Sequence, residues 1–218
     1  MNGNIDKNVK FEIIESLCNQ CIDLLIKAFR LSLRKGMINK EWEEDSFTAH
    51  LYKFIEILQI DKKWIVNPQV PIYNKDITSG KISALKAPKP DLKFQKYDLT
   101  SGNLFVFYIE MKNLSENNWS KTSGSNVSSS YYIGRYVYTG IDNFISERYR
   151  FGCLAGYVVE GRVDKIVAKV NIKLEKLNRK NESLSITNVI NGFNDSYISN
   201  HISKSKRHLK LKHIFLKF

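Results

Sequence analysis

The residues best suited to chemistry lie close together: Pro90-Asp91, then eighteen residues, then Glu110-Met111-Lys112. Two carboxylates and one ammonium are enough for a defined reaction class. Hard divalent cations such as Mg²⁺ bind carboxylate and carbonyl oxygens, and two acids plus one backbone carbonyl leave coordination positions for water and a phosphate oxygen. Such a cation activates the water and offsets the charge that builds up at phosphorus. A lysine beside it orients or helps deprotonate that water and stabilises the developing anion. The set is sufficient for phosphodiester hydrolysis.

Two strands and a turn would bring these residues together. Leu104 to Met111 (LFVFYIEM) is a dense β-branched and aromatic run of strand length, Pro90 to Tyr97 reads as a second extended segment, and Leu99 to Asn103 supplies turn residues between them. An antiparallel hairpin places the start of one strand beside the end of the next, so Asp91 and Glu110 converge. Glu110 and Lys112 are two residues apart on a strand and therefore share a face. An ordinary surface hairpin, with Glu110 paired to a lysine across the strands, is the plain alternative. Against it, these charges close an apolar run, where an unpartnered charge is costly.

The remaining chain reads as alternating elements. Phe11, Ile14, Cys18, Cys21, Leu25, Ala28 and Leu31 recur at helical spacing up to Gly36, and a second helix is expected from about Glu41 to Leu58. In that helix Glu44 shares a stripe with Phe47, Leu51, Phe54 and Leu58, a local conflict between charge and apolar face. Trp64 to Tyr73 reads as an edge strand because of Pro68 and Pro71. Residues 113–130 hold seven serines and read as a mobile loop. A helix over 132–148, a strand over 151–159, a helix over 162–178, a strand over 184–190 and a basic closing strand over 204–218 follow. No linker or repeat divides the chain, so a single domain over 1–218 is expected.

Composition narrows the setting. Hydrophobic residues make up 43% of the 218 and charged residues 26%, which suits a globular core. No apolar run reaches the roughly 20 residues of a membrane span, and the first residues lack a signal-peptide pattern, so a cytoplasmic protein without membrane contact is expected. Three cysteines make no disulfide framework, and Cys18 and Cys21, a CxxC inside an apolar helical stripe, read as core. The four histidines show no metal spacing and read as structural or phosphate-contacting. The net charge of +12 favours a polyanionic partner such as nucleic acid.

Through Pro90-Asp91 and Glu110-Met111-Lys112 the chain resembles the PD-(D/E)XK nuclease superfamily, over about residues 41–160. The resemblance implies an α/β restriction-endonuclease-like core, an α-β-β-β-α-β mixed sheet flanked by helices, here with an N-terminal helix and C-terminal helix and strand additions. It implies Asp91, Glu110 and the Met111 carbonyl as ligands of Mg²⁺, with Mn²⁺ able to substitute, and Lys112 as the catalytic lysine. It further implies an acid from the first core helix, with Glu44 the best match and Glu43 the fallback. Arg135, on the helix after the serine-rich segment, falls where related nucleases support the site or contact phosphate. Lys204, Lys206, Arg207, Lys210 and Lys212 could track a nucleic-acid backbone, although a solvated strand face explains them equally well. The expected function is a metal-dependent DNA endonuclease of a microbial restriction, repair or antiphage-defence type, working alone, as a homodimer or in a larger complex. The alternatives are an RNA nuclease and a non-catalytic nucleic-acid-binding subunit that keeps the fold.

Overall fold

A computed structural model of the chain describes residues 7–36, 38–59, 63–73, 75–98 and 103–218. Its elements follow the hydrophobic periods of the sequence. Helix α1 (Lys7–Arg34) buries Cys21, Ile22, Leu25, Ile26 and Phe29, and α2 (Glu44–Leu58) buries Phe47, Leu51, Phe54 and Ile55 against the same layer. Strand β1 (Ile65–Pro68) and the single turn α3 (Lys75–Thr78) lead to β2 (Leu92–Asp98) and β3 (Asn103–Ser115). A small hairpin of β4 (Trp119–Ser120) and β5 (Asn126–Val127) precedes α4 (Ser129–Arg135). That helix continues through a π-helical stretch (Tyr136–Ile141) into α5 (Asp142–Ile145). Then come β6 (Gly152–Glu160), α6 (Val163–Lys176), β7 (Ser185–Ile186), β8 (Ser196–Ile202) and β9 (His208–Lys217).

Seven strands form one mixed sheet in the order β1-β2-β3-β6-β9-β8-β7, with β3/β6 and β6/β9 parallel and the other pairs antiparallel. Alternation along β3 sorts its side chains between two cores. Phe107, Ile109 and Met111 join the layer under α1 and α2, whereas Leu114 joins the layer under the π-helical stretch and α6. Glu110 and Lys112 have the parity of Leu114. They therefore lie on the sheet face that carries the helices after β5. No described helix is long and apolar enough to cross a membrane.

Several sequence expectations are corrected by the structure. Strand β3 runs on to Ser115, past the chemical motif, because Asn113 and Ser115 are accommodated by buried polar contacts. Residues 119–127 form a hairpin instead of an open loop, pinned by Lys121 to Glu43 and by Thr122 to Glu41 at 2.6 Å. The helix expected over 132–148 is present but starts at Ser129, ends at Ile145 and contains a π-helical stretch. The strand expected over 184–190 shrinks to Ser185–Ile186, and the closing strand begins only at His208, since residues 204–207 form a turn with Lys206 at φ 64°. Of the turn between β2 and β3, residues 99–102 lie outside the described residues. Strand β8 was not anticipated at all, because its inward positions carry Ser196, Ser199 and His201 in place of an apolar stripe.

Ser196 donates to the Thr187 carbonyl at 2.7 Å, whereas Ser199 and His201 are satisfied by one directional chain of hydrogen bonds. Glu182 only accepts, so His201 Nδ1 donates to it at 2.6 Å, and His201 Nε2 must then accept from Ser199 Oγ at 2.5 Å. The Ser199 oxygen in turn accepts from His213 Nε2 at 2.7 Å, leaving His213 Nδ1 to accept from the Tyr136 hydroxyl at 2.9 Å. Both imidazoles are neutral in this arrangement. Burial lowers the pKa of His201 and pushes that of His213 well below the ordinary value of 6.5. The unfolded chain therefore takes up protons first as pH falls, so this contribution to stability is full above about pH 6.5 and is lost on acidification below it. The urea midpoint of the wild type is expected to fall between about pH 7.5 and about pH 5.5, and more steeply than that of a His201→Gln/His213→Gln variant. Equal slopes for the two proteins would show that these imidazoles are not held neutral.

Candidate functional site

The site is built by strand register. Leu92 pairs with Ile109, so Asp91, one residue before β2, lies level with Glu110. Asp91 Oδ2 accepts a hydrogen bond of 2.6 Å from the Met111 backbone N–H, which fixes the aspartate across the hairpin. From β3 the Lys112 side chain turns back over the same residues. Its Nζ lies 2.8 Å from Glu110 Oε1, 2.9 Å from Glu44 Oε1 and 2.6 Å from the Met111 carbonyl, with Asp91 Oδ2 at 3.9 Å. An ammonium has three protons, and the three closest oxygens take them all.

Every group that the sequence motif and the helix α2 stripe single out is thus gathered round one nitrogen. Asp91, Glu110 and Lys112 are each at most 6% exposed. Glu44, the first residue of α2, enters from a different layer of the fold, and Arg135 at the end of α4 reaches the same Glu44 oxygen at 3.4 Å. Glu43 is turned away toward Lys121 and takes no part. Three carboxylates face two cations here. The five residues line a cavity of about 420 Å³ together with Asp45, Gln69, Lys89 and Thr139.

The electrostatics follow from the crowding. Burial raises the Asp91 carboxyl well above its usual range, and the neighbouring charge of Glu110 raises it further. Burial also raises Glu110. For Lys112 burial works to lower the pKa, but Glu110, Asp91 and Glu44 together outweigh it and the net shift is upward. The positive charge is therefore fixed, and the carboxylates are short of one.

A fit test for a divalent cation has two sides. Among the described residues no three His, Cys, Asp or Glu side chains are disposed to hold a metal ion as they stand. The reason is visible in the geometry, because the Lys112 ammonium occupies the point on which the carboxylates converge. Yet the second oxygens of Glu44 and Glu110 are buried without a hydrogen-bond partner, an expensive state that asks for a missing cation or water. The donors are all hard oxygens, the kind that Mg²⁺ and Mn²⁺ take. On these observations the residues fit such a cation, provided that Lys112 yields its place.

The chain matches no family model, no curated protein and no solved structure.

Several neighbours of the site were not foreseen from sequence. Asn143, in α5, donates to Glu110 Oε1 at 3.4 Å, and Tyr149 bonds the same carboxylate. Neither carries a sequence signal, since both arrive through the fold of the helices after β5. Lys89 was within reach of sequence reasoning, because it stands between Pro88 and Pro90 immediately before Asp91. The basic residues of the C-terminal segment do not line this cavity. Arg207 pairs with Glu147 at 2.9 Å, Lys212 pairs with Glu15 at 2.6 Å and bonds Asn19, and Lys204 and Lys206 belong to the turn between β8 and β9.

Removing the ammonium should expose the cost of the cluster. In chelator near pH 8, Lys112→Met is expected to lose about 3–5 kcal/mol of stability, the range for a buried charge group stripped of its partner. Since Asp91 and Glu110 already have raised pKa values, protonation relieves the repulsion and the deficit should shrink as pH falls. Urea unfolding of both proteins near pH 8 and pH 6 checks this, and a deficit that grows on acidification would contradict the charge arrangement described.

Proposed function

We propose that this chain is a Mg²⁺-dependent nuclease of the PD-(D/E)XK kind, acting on DNA. One observation carries the reading: Asp91, Glu110, Glu44 and the Met111 carbonyl, the oxygens implied as ligands, converge on the Lys112 ammonium at the wall of a polar cavity. The element order α2, β1, β2, β3, the α4–α5 helix and β6 supports it, since it is the order of that superfamily's core. The net charge of +12 supports a nucleic-acid substrate.

In this reading Asp91, Glu110, Glu44 and the Met111 carbonyl hold the cation. A bound Mg²⁺ supplies Lewis acidity, which lowers the pKa of a coordinated water and offsets charge on the phosphoryl oxygens. The chain's own residues do the rest. Asp91 is held rigid by the Met111 N–H, and Asn143 and Tyr149 hold Glu110, so the acidic wall is pre-organised. Lys112, released from the carboxylates, donates hydrogen bonds that orient the attacking water and stabilise the phosphoryl oxygen that gains charge. Arg135 and Lys89, both at the cavity, are placed to pair with the phosphates that flank the scissile bond.

Incubation of the purified chain with plasmid DNA, single-stranded DNA and RNA, with and without Mg²⁺, tests the reading. Metal-dependent cleavage of DNA is expected. Asp91→Ala should abolish cleavage, and Lys112→Ala should slow it by roughly 10²-fold or more while DNA binding in chelator is kept. Cleavage at the wild-type rate by Lys112→Ala would remove the proposed mechanism, and DNA binding without cleavage by any form would leave a binding subunit only.

A further inference from the structure

A second cavity, of about 410 Å³, has no lining residue in common with the carboxylate cavity, although Tyr149, which lines it, also bonds Glu110. It opens where β6 and β9 begin, and it is walled by rings: Phe107 from β3, Phe144 from α5, and Tyr149 and Phe151 from the segment before β6. Gly152 forms part of the wall, and a Cβ there would collide with the Tyr108 carbonyl and the Phe144 ring, so β6 packs against β3 at this point only through a glycine. Its size falls at the lower end of small-molecule sites, which run from roughly 300 to 1,000 Å³.

The rim is basic. Arg150, Arg207, Lys210 and Lys212 line it, and the sequence shows no acid from Lys204 onward. Glu147 and Glu15 also line it, but each is taken up, Glu147 by Arg207 and Glu15 by Lys212. Arg150 and Lys210 have no carboxylate partner among the described residues. The Arg150 guanidinium lies over the half-exposed Phe151 ring, 5.5 Å from its centroid. His208 adds a further donor at the same mouth.

Aromatic walls select a flat ring, and two unpaired cations at the mouth select an anion with more charge than one carboxylate. We infer that this cavity is a binding site for a nucleoside 5′-phosphate, its base against the exposed Phe151 ring and its phosphate between Arg150 and Lys210. The basic C-terminal segment thereby gains a role that the carboxylate site does not give it. This inference stands on the cavity alone and does not depend on the nuclease reading.

Calorimetric titration of the full chain with each of the four common nucleoside 5′-monophosphates tests it, with adenosine and inorganic phosphate as separate arms. At least one monophosphate is expected to bind with a Kd below about 1 mM, and both half-ligands at least about 10-fold more weakly. Arg150→Ala/Lys210→Ala and Phe151→Ala, all changes at exposed residues, should weaken binding about 10-fold or more without lowering the melting temperature. Asp91→Ala should bind as the wild type does, which separates this cavity from the carboxylate site. The inference is overturned if no monophosphate saturates, if phosphate alone binds as tightly, if the two rim variants bind normally, or if Asp91→Ala abolishes binding.

Discussion

Three carboxylates brought within reach of one nitrogen cannot remain ionised in a protein interior unless a cation lies among them. In this chain the Lys112 ammonium is that cation, and much of the architecture is arranged round it. Asp91 comes from the mouth of β2, Glu110 and Lys112 from β3, and Glu44 from the first turn of α2, so the charge cluster ties helix layer to sheet. The hairpin of β4 and β5 braces the approach to α2 through Glu41 and Glu43. Loss of β2, β3 or α2 would leave buried charge without its partner.

The same arrangement explains why the site is incomplete as a salt bridge. One ammonium and the partly exposed Arg135 cannot satisfy six carboxylate oxygens, and two of those oxygens are left without a partner. A purely structural ion pair has no reason to carry a surplus of buried acid, which could be removed by a single Glu→Gln change. A site that exchanges its ammonium for a divalent cation needs that surplus. The raised pKa values of Asp91 and Glu110 express the same shortage of positive charge.

How much of this was legible in the sequence differs by region. The hairpin of β2 and β3, and with it the meeting of Asp91 and Glu110, follows from an apolar run, its parity and turn residues, because local patterning sets register. Glu44 was legible as a charge on an apolar helix stripe, and the buried CxxC as part of one. Strand β8 was not legible, since its buried positions are serine and histidine and only the hydrogen-bond chain from Tyr136 to Glu182 makes them tolerable. Asn143 and Tyr149 were equally hidden, for their approach to Glu110 depends on how a π-helical stretch and the segment after it lie on the sheet. The basic C-terminal residues were visible as charge but not as geometry, and of them Arg207, Lys210 and Lys212 line the second cavity.

In the proposed function, Lys112 occupies the seat that a divalent cation would take. Calorimetric titration of Mn²⁺ into the wild type and into Lys112→Ala at one pH near 8 addresses that point directly. Deleting the ammonium frees the carboxylates and the Met111 carbonyl, so Lys112→Ala is predicted to bind one Mn²⁺ more tightly than the wild type, by about 10-fold or more, the effect of one unit charge close to the cation. If neither protein binds Mn²⁺, or if Lys112→Ala binds it more weakly, the cluster is a structural ion-pair network and not a metal seat.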